Sequence, residues 1–248
     1  MNRDFGSFNE MGSDRSRYEI CTLPRAPVGP PQWFKLREKL KEFRLNSLKV
    51  NPEAFASTYA DEVKFDDDVW EKRLTNPLAI SLCAIQAASD GSRTDNLSTL
   101  IENDWLGAMV VIGPKEDGTT GLHASRSPWE TVTPDKSGYA SAAKTLPVYQ
   151  LNGVYVIPGA RGLGIGKKLT AATIQAAVSS ASSHGFKAIR MQVRVEAENS
   201  AAQKLYSSCG FAEVGRESYE TKEKEKNGVK IPARTSVAVV MEQIRDVP

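Results

Sequence analysis

The chain has 248 residues, 40% of them apolar, enough to bury the core of one large domain or two small ones. Its 32 lysines and arginines against 30 aspartates and glutamates leave a formal charge of +2, so no global field draws it to nucleic acid or to a membrane surface, and any anionic ligand must be held locally. Three widely spaced cysteines suit reduced thiols rather than a disulfide framework, and with no membrane-length apolar run or secretory leader the expectation is a cytoplasmic protein.

Residues 1–16 are too poor in apolar groups to offset the entropy of ordering them and read as a disordered tail. YEICTL follows as a short strand, and the next segment spaces Trp33, Leu36, Leu40, Phe43 and Leu48 as an amphipathic helix opened by prolines. Phe55, Tyr59 and Val63 suggest a second helical stretch that breaks near Phe65, and Asp66–Asp68 cap a third carrying Val69, Trp70 and Leu74. LAISLCAIQ and DWLGAMVVIG read as a strand pair joined by a long polar connection. From Gly113 to Pro147 neither period is visible, and a loop of that length inside a domain is usually functional or disordered.

VYQLNGVYVIP resumes as a strand, and after a glycine cluster a helix runs to Gly185 in a C-terminal cap position. In FKAIRMQVRVEA, Ile189, Met191, Val193 and Val195 alternate with Arg190, Gln192 and Arg194, a strand with one polar face. That strand, helix and strand unit implies two parallel strands. Asn199 or Ser200 caps a short helix closed by Gly210, and two final strands are joined by a turn at Asn227–Gly228. The last strand could lie inside one sheet or pair across a dimer, so both monomer and homodimer stay open.

Free N–H groups and the positive end of a helix converge at such a glycine cluster, which suits a phosphate. A nucleotide P-loop is excluded because Arg161 stands where its first glycine belongs and Lys168 where its hydroxyl residue belongs. The dinucleotide fingerprint fails too, its third glycine falling on Lys167 or Leu169.

What remains is Arg161-Gly162-Leu163-Gly164-Ile165-Gly166, which resembles the R/Q-x-x-G-x-G/A motif of the GNAT superfamily of N-acetyltransferases. Asn199, Ala202, Leu205, Tyr206, Gly210 and Phe211 reproduce a second family signature downstream, and NPEAF after the first helix is similar to the family's opening. The resemblance implies a single α+β domain over 17–248: a central mixed, mostly antiparallel twisted sheet with two splayed parallel strands, flanked by helices. The long 113–147 insertion departs from the family's short hairpin.

The resemblance also implies acetyl-CoA as co-substrate, no metal, and direct transfer to a primary amine in a ternary complex. Arg161, Gly162, Leu163, Gly164, Ile165, Gly166 and Lys167 would hold the pyrophosphate, Val154, Tyr155 and Val156 would lie beside the pantetheine with an oxyanion donor near Val156, and Asn199 would complete the coenzyme site. Tyr206 stands where the family keeps its general acid. A non-catalytic acyl-CoA-binding module, or a transferase taking a longer acyl-CoA, is the alternative.

No carboxylate base lies in VYQLNGVYV. Glu196 and Glu198 follow the next strand, but exposed glutamates at a strand end are more often solvated, and neither is favoured. His123 and His184 offer no better base, and no metal-ligand cluster is visible. Trp33, Phe55, Tyr59 and Trp129 could line an acceptor pocket or simply anchor the core. The acceptor itself, whether a small amine, an amino acid or a protein terminus, is not legible.

Overall fold

The computed structural model describes residues 17–26, 29–87, 96–115, 129 and 146–248. The 1–16 tail, His123 and most of the 113–147 segment lie outside the described residues.

The chain opens with strand β1 (Tyr18–Thr22) and helix α1 (Pro30–Val50), whose two leading prolines sit where no intrahelical N–H is needed. Trp33, Leu36 and Leu48 form its buried stripe. The helix expected across Phe55 to Val63 does not form as one piece. Pro52–Ala54 makes a single 3-10 turn, Phe55 is extended, and α2 spans only Tyr59–Glu62, started by Thr58, whose side chain accepts the Asp61 N–H at 3.1 Å. Helix α3 (Asp67–Thr75) is capped as expected, by Asp66 accepting the Val69 N–H at 3.1 Å.

Strand β2 (Ala79–Gln86) pairs antiparallel with β3 (Trp105–Lys115), and their connection holds an unanticipated helix, α4 (Asn96–Glu102). Then come β4 (Val148–Val156), α5 (Ile165–Ser183), β5 (Ala188–Glu196), α6 (Ser200–Ser208) and β6 (Ala212–Glu220). The Asn227–Gly228 turn, with φ of 53° and 78°, joins a small ribbon of β7 (Lys224–Lys226) and β8 (Val229–Ile231) instead of the two long final strands. The last strand, β9 (Thr235–Asp246), lies inside the sheet between β5 and β6.

Among the described residues the main sheet has seven strands in the order β1-β2-β3-β4-β5-β9-β6, antiparallel except for the β4–β5 pair. Strand period decides the two faces. Leu82 and Ala84 of β2 join Leu169, Ala177 and Ala181 of α5 in one core, whereas Cys83 and Ile85 face Trp33 and Leu36 of α1 in another. With both faces covered, β2 reads as a nearly continuous apolar run, and each fully buried large side chain contributes roughly 1.5–3 kcal/mol. No described helix is long and apolar enough to cross a membrane.

Candidate active site

Strands β4 and β5 pair from Val148–Arg190 to Leu151–Val193 and then part. The cause lies on the other edge of β4. Its register against β3 passes from Val110–Asn152 to Ala108–Tyr155, so β4 carries one extra residue there, and Gly153 takes a φ of 61°. Such a bulge bends a strand and sharpens its twist. Beyond it, Asn152 to Val156 have no strand partner on the β5 side. A cleft of about 830 Å³ opens at the parting, of the size that holds a cofactor.

One end of the cleft is the glycine loop. Gly162 and Gly164 have φ of 82° and 77°, a region that L side chains rarely adopt, and Gly164 is the N-cap of α5 without a side-chain cap. The N–H groups of the first α5 turn therefore face the cleft without intrahelical partners, where an anion would be held by them and by the helix dipole. Gly166 answers a different need: a Cβ there would stand 3.2 Å from the Leu205 side chain, so its absence lets α5 and α6 pack closely.

The cleft wall takes Val154, Tyr155, Val156, Arg161, Gly162, Gly164, Ile165, Gly166, Lys167 and Asn199 of the expected coenzyme residues. It does not take Leu163, whose side chain is exposed and whose carbonyl accepts the Tyr18 hydroxyl at 3.2 Å. Lys168 also turns away, its ammonium lying over the Tyr18 ring at 4.6 Å. The Asn199 side chain is engaged as the α6 cap, accepting the Ala202 N–H at 3.0 Å.

Two groups at this end, Asn51 and Glu53 of the NPEAF stretch, are not among the site residues expected from the sequence. Asn51, just past α1, accepts the Arg161 guanidinium at 2.8 Å and the Tyr155 hydroxyl at 3.2 Å, and its amide donates to Glu53 at 3.1 Å. Arg161 also donates to the Val156 carbonyl at 3.1 Å. Glu53 is bridged at 2.8 Å by Lys226 of the ribbon. Burial alone would raise the Glu53 carboxyl, but the hydrogen bonds from Lys226 and Asn51 prevail and hold it below the ordinary range. This chain of contacts ties the glycine loop, the end of α1 and the β7–β8 ribbon around one cleft.

Beside the cleft, not in its wall, stands Tyr206 on α6, 1% exposed, its ring edge-on to Phe211 at 5.5 Å between centroids. Burial, with the Cys209 thiol adding to it, pushes its phenol well above the ordinary tyrosine range. Tyr206 lines a smaller cavity of about 190 Å³ that shares Val154, Glu196, Asn199 and Ala202 with the main cleft, so the two meet where the strands part.

Three carboxylates, Glu53, Glu196 and Glu198, reach the cleft. Glu198 is exposed and held by Arg234 at 2.6 Å. Glu196 is half-buried, accepts the Ser236 hydroxyl at 2.7 Å, and lines both cavities. Lys224 is buried beside them, donating to the Phe55 carbonyl, and burial pulls its ammonium below the ordinary lysine range against the opposing pull of Glu196 and Glu53. Among the described residues no group of three or more His, Cys, Asp or Glu side chains could hold a metal ion.

The four aromatic candidates disperse. Trp33 is a core residue whose indole donates to Glu71 at 2.7 Å, and Tyr59 lies apart near the ribbon. Phe55 lines the Tyr206 cavity, and Trp129 lines a third cavity beneath α1. His184 caps α5, its Nδ1 at 2.7 Å from the Ser180 carbonyl.

Residues 124–211 match the Acetyltransferase (GNAT) family. No curated protein matches the sequence. In fold the chain is similar to an acetyltransferase of the GNAT family from Streptococcus pneumoniae, at 15% identity and a TM-score of 0.52 over 92% of this chain and 99% of that one. It is similar to a putative acetyltransferase from Acinetobacter baylyi ADP1, at 16% identity and a TM-score of 0.53 over 93% and 96%. Arabidopsis thaliana NAA60 in complex with a bisubstrate analogue aligns at 15% identity and a TM-score of 0.51 over 93% and 100%.

Proposed function

We propose that this chain, whose residues 124–211 match the acetyltransferase (GNAT) family, belongs to that family and transfers the acetyl group of acetyl-CoA to a primary amine directly, in a ternary complex. The observation that carries the reading is the end of β4–β5 pairing at Leu151–Val193, beside which a cleft with a glycine cradle at one end adjoins the smaller cavity of Tyr206, with Glu196 lining both.

The cradle fits a pyrophosphate because two of its glycines need positive φ and the α5 N–H groups lack partners; Lys167 adds charge at the rim. The unpaired β4 edge fits an amide-bearing chain such as pantetheine. Acetyl-CoA supplies an acyl carbon made reactive by a thiol leaving group. A backbone N–H of Val154–Val156 would meet the negative charge that develops on the carbonyl oxygen.

Tyr206 is assigned the proton that the departing sulfur needs. Its raised pKa keeps the phenol protonated but makes it a weak acid, so the proton moves as the C–S bond breaks, in a site whose dryness raises the thiol's pKa as well. Glu196, favoured by its place on both cavities, receives the proton that the attacking amine loses.

Calorimetry with acetyl-CoA on wild type and Lys167→Glu, followed by thiol release with a panel of amines, tests the reading. Lys167 suits the test because it reverses charge without straining a glycine. Micromolar binding that the variant weakens at least about tenfold, with amine-dependent thiol release, is expected. Absence of wild-type binding would overturn the reading, and binding with no release for any amine would replace it with a non-catalytic acyl-CoA-binding module. Propionyl- and succinyl-CoA in the same assay decide whether acetyl is the preferred group.

A further inference from the structure

On the α1 side of β4 lies another cavity, of about 110 Å³, walled by Phe43, Trp70, Trp105, Tyr155, Met109 and Val110. A water needs only about 10–15 Å³ of such space, so the cavity suits a short chain of several heavy atoms. Arg44 and Arg73 also reach it. Both bind Glu62, which is 2% exposed: Arg44 through two nitrogens at 2.8 and 3.2 Å, and Arg73 through one at 2.7 Å.

Two guanidiniums therefore share one carboxylate. No second carboxylate among the described residues pairs with either of them, so the cluster keeps one positive charge, with Arg73 buried and Arg44 partly exposed. Arg73 Nε and Trp70 Nε1 are buried donors without a hydrogen-bond partner among the described residues. The Arg73 guanidinium also lies against the Trp70, Phe65 and Trp129 rings at 4.7, 5.3 and 5.3 Å, which hold part of its charge but accept neither N–H. Native interiors rarely leave such donors unmet, and two of them beside a surplus cation favour an anionic acceptor.

The cavity is also placed to matter. Arg44, Ser57, Asn152 and Gly153 line both it and the 190 Å³ cavity where Tyr206 and Glu196 stand, so the two adjoin across the β4 bulge.

We propose that this cavity holds the far end of the amine acceptor, a carboxylate on a short apolar chain. The substrate class is then an amino acid whose amine and carboxylate are separated by several methylenes. The proposal rests on the acetyltransferase reading. A carboxylate matches the single surplus charge, the unmet donors take its oxygens, and the aromatic wall takes the methylenes. A phosphate would bring nearly two charges against one and lose a larger hydration shell.

Hexanoate is the probe, with 1-hexanol as its neutral counterpart. Trp70, Trp105 and Trp129, three of the chain's four tryptophans, line the cavity, so intrinsic fluorescence reads occupancy. Hexanoate is expected to give a saturable change at least about tenfold tighter than hexanol. Arg73→Lys, which keeps the charge and loses Nε, should weaken hexanoate about tenfold, and Val110→Phe, which fills the space without touching the ions, should abolish its binding. Both should leave acetyl-CoA binding by calorimetry intact, and 6-aminohexanoate should outpace hexylamine in thiol release. Hexanoate that fails to bind, binds no better than hexanol or survives Val110→Phe would overturn the proposal and leave the triad as a pin between helices. Normal hexanoate binding by a protein that ignores acetyl-CoA would instead remove the acetyltransferase reading and, with it, the assignment of the cavity to an acceptor.

Discussion

Glu62→Gln is the sharpest test of how the helices over the site are held. Glu62 is 2% exposed between Arg44 and Arg73. Burial opposes its charge, but the two guanidiniums prevail and hold the carboxyl at about 2, against an ordinary 4.5. Arg73 points the other way, since burial pulls it below its ordinary value. The carboxyl's shift governs acid behaviour, because the guanidinium stays charged throughout. A depressed folded-state pKa stabilises above the unfolded pKa and is lost as pH falls through the folded one, so the window is pH 4.5 down to about 2. The 2.5-unit difference corresponds to about 3 kcal/mol at neutral pH, close to the cost of breaking a buried ion pair. Urea unfolding should show Glu62→Gln less stable by about 3 kcal/mol at pH 7, a Tm lower by roughly 6–12 °C, and a deficit shrunken to about 1.5 kcal/mol at pH 3. A deficit of equal size at both pH values would refute the reasoning.

Tyr206→Phe should lower kcat by about 10²–10⁴ while acetyl-CoA affinity by calorimetry stays within about threefold; unchanged turnover would remove the acid assignment. In Gly107→Ala the new Cβ would stand 2.9 Å from the Tyr155 carbonyl and 3.1 Å from Leu169, so stability should fall by about 1–3 kcal/mol, and a loss below about 0.5 in urea would contradict the close approach. Asn51→Ala, which frees Arg161 and Tyr155, should weaken acetyl-CoA binding several-fold, by about 1 kcal/mol, with kcat little changed; an unaltered Kd would confine Asn51 to structure.

What could be read in the sequence was what short range decides. Gly162 and Gly164 announce a phosphate-binding turn, Asp66 announces a cap, and the alternation from Ile189 to Val195 announces a half-polar strand, each within a few residues. The errors have local causes too. Phe55, Tyr59 and Val63 share a helical spacing, but Pro52 starts a turn and Thr58 starts the next helix, and the backbone follows those punctuations. In α4, Leu97, Leu100 and Ile101 recur at helical spacing, a signal masked by the serines, threonines and asparagines around it. At Asn227–Gly228 the turn was legible and its partners were not, because either pair of flanking strands satisfies it.

Site residues followed the same division. Asn51 meets Arg161 across 110 positions of chain, and Lys226 meets Glu53 across 173, so no spacing rule reaches them. Glu196 looked like an ordinary strand-end glutamate because its position depends on where β4 leaves β5, and that follows from a bulge against a third strand.

In the reaction proposed above, the same bulge bears on how one site could serve two opposite proton transfers. Tyr206 is closed in by Phe211 and the core, where burial favours the neutral phenol; Glu196 stands at the open end of β5, half-buried and held by the Ser236 hydroxyl. Where the strands part after Leu151–Val193, buried Tyr206 and half-buried Glu196 line the same cavity. In the proposed reaction the sulfur is therefore protonated from within the core, and the amine loses its proton toward solvent, with the acetyl group passing between.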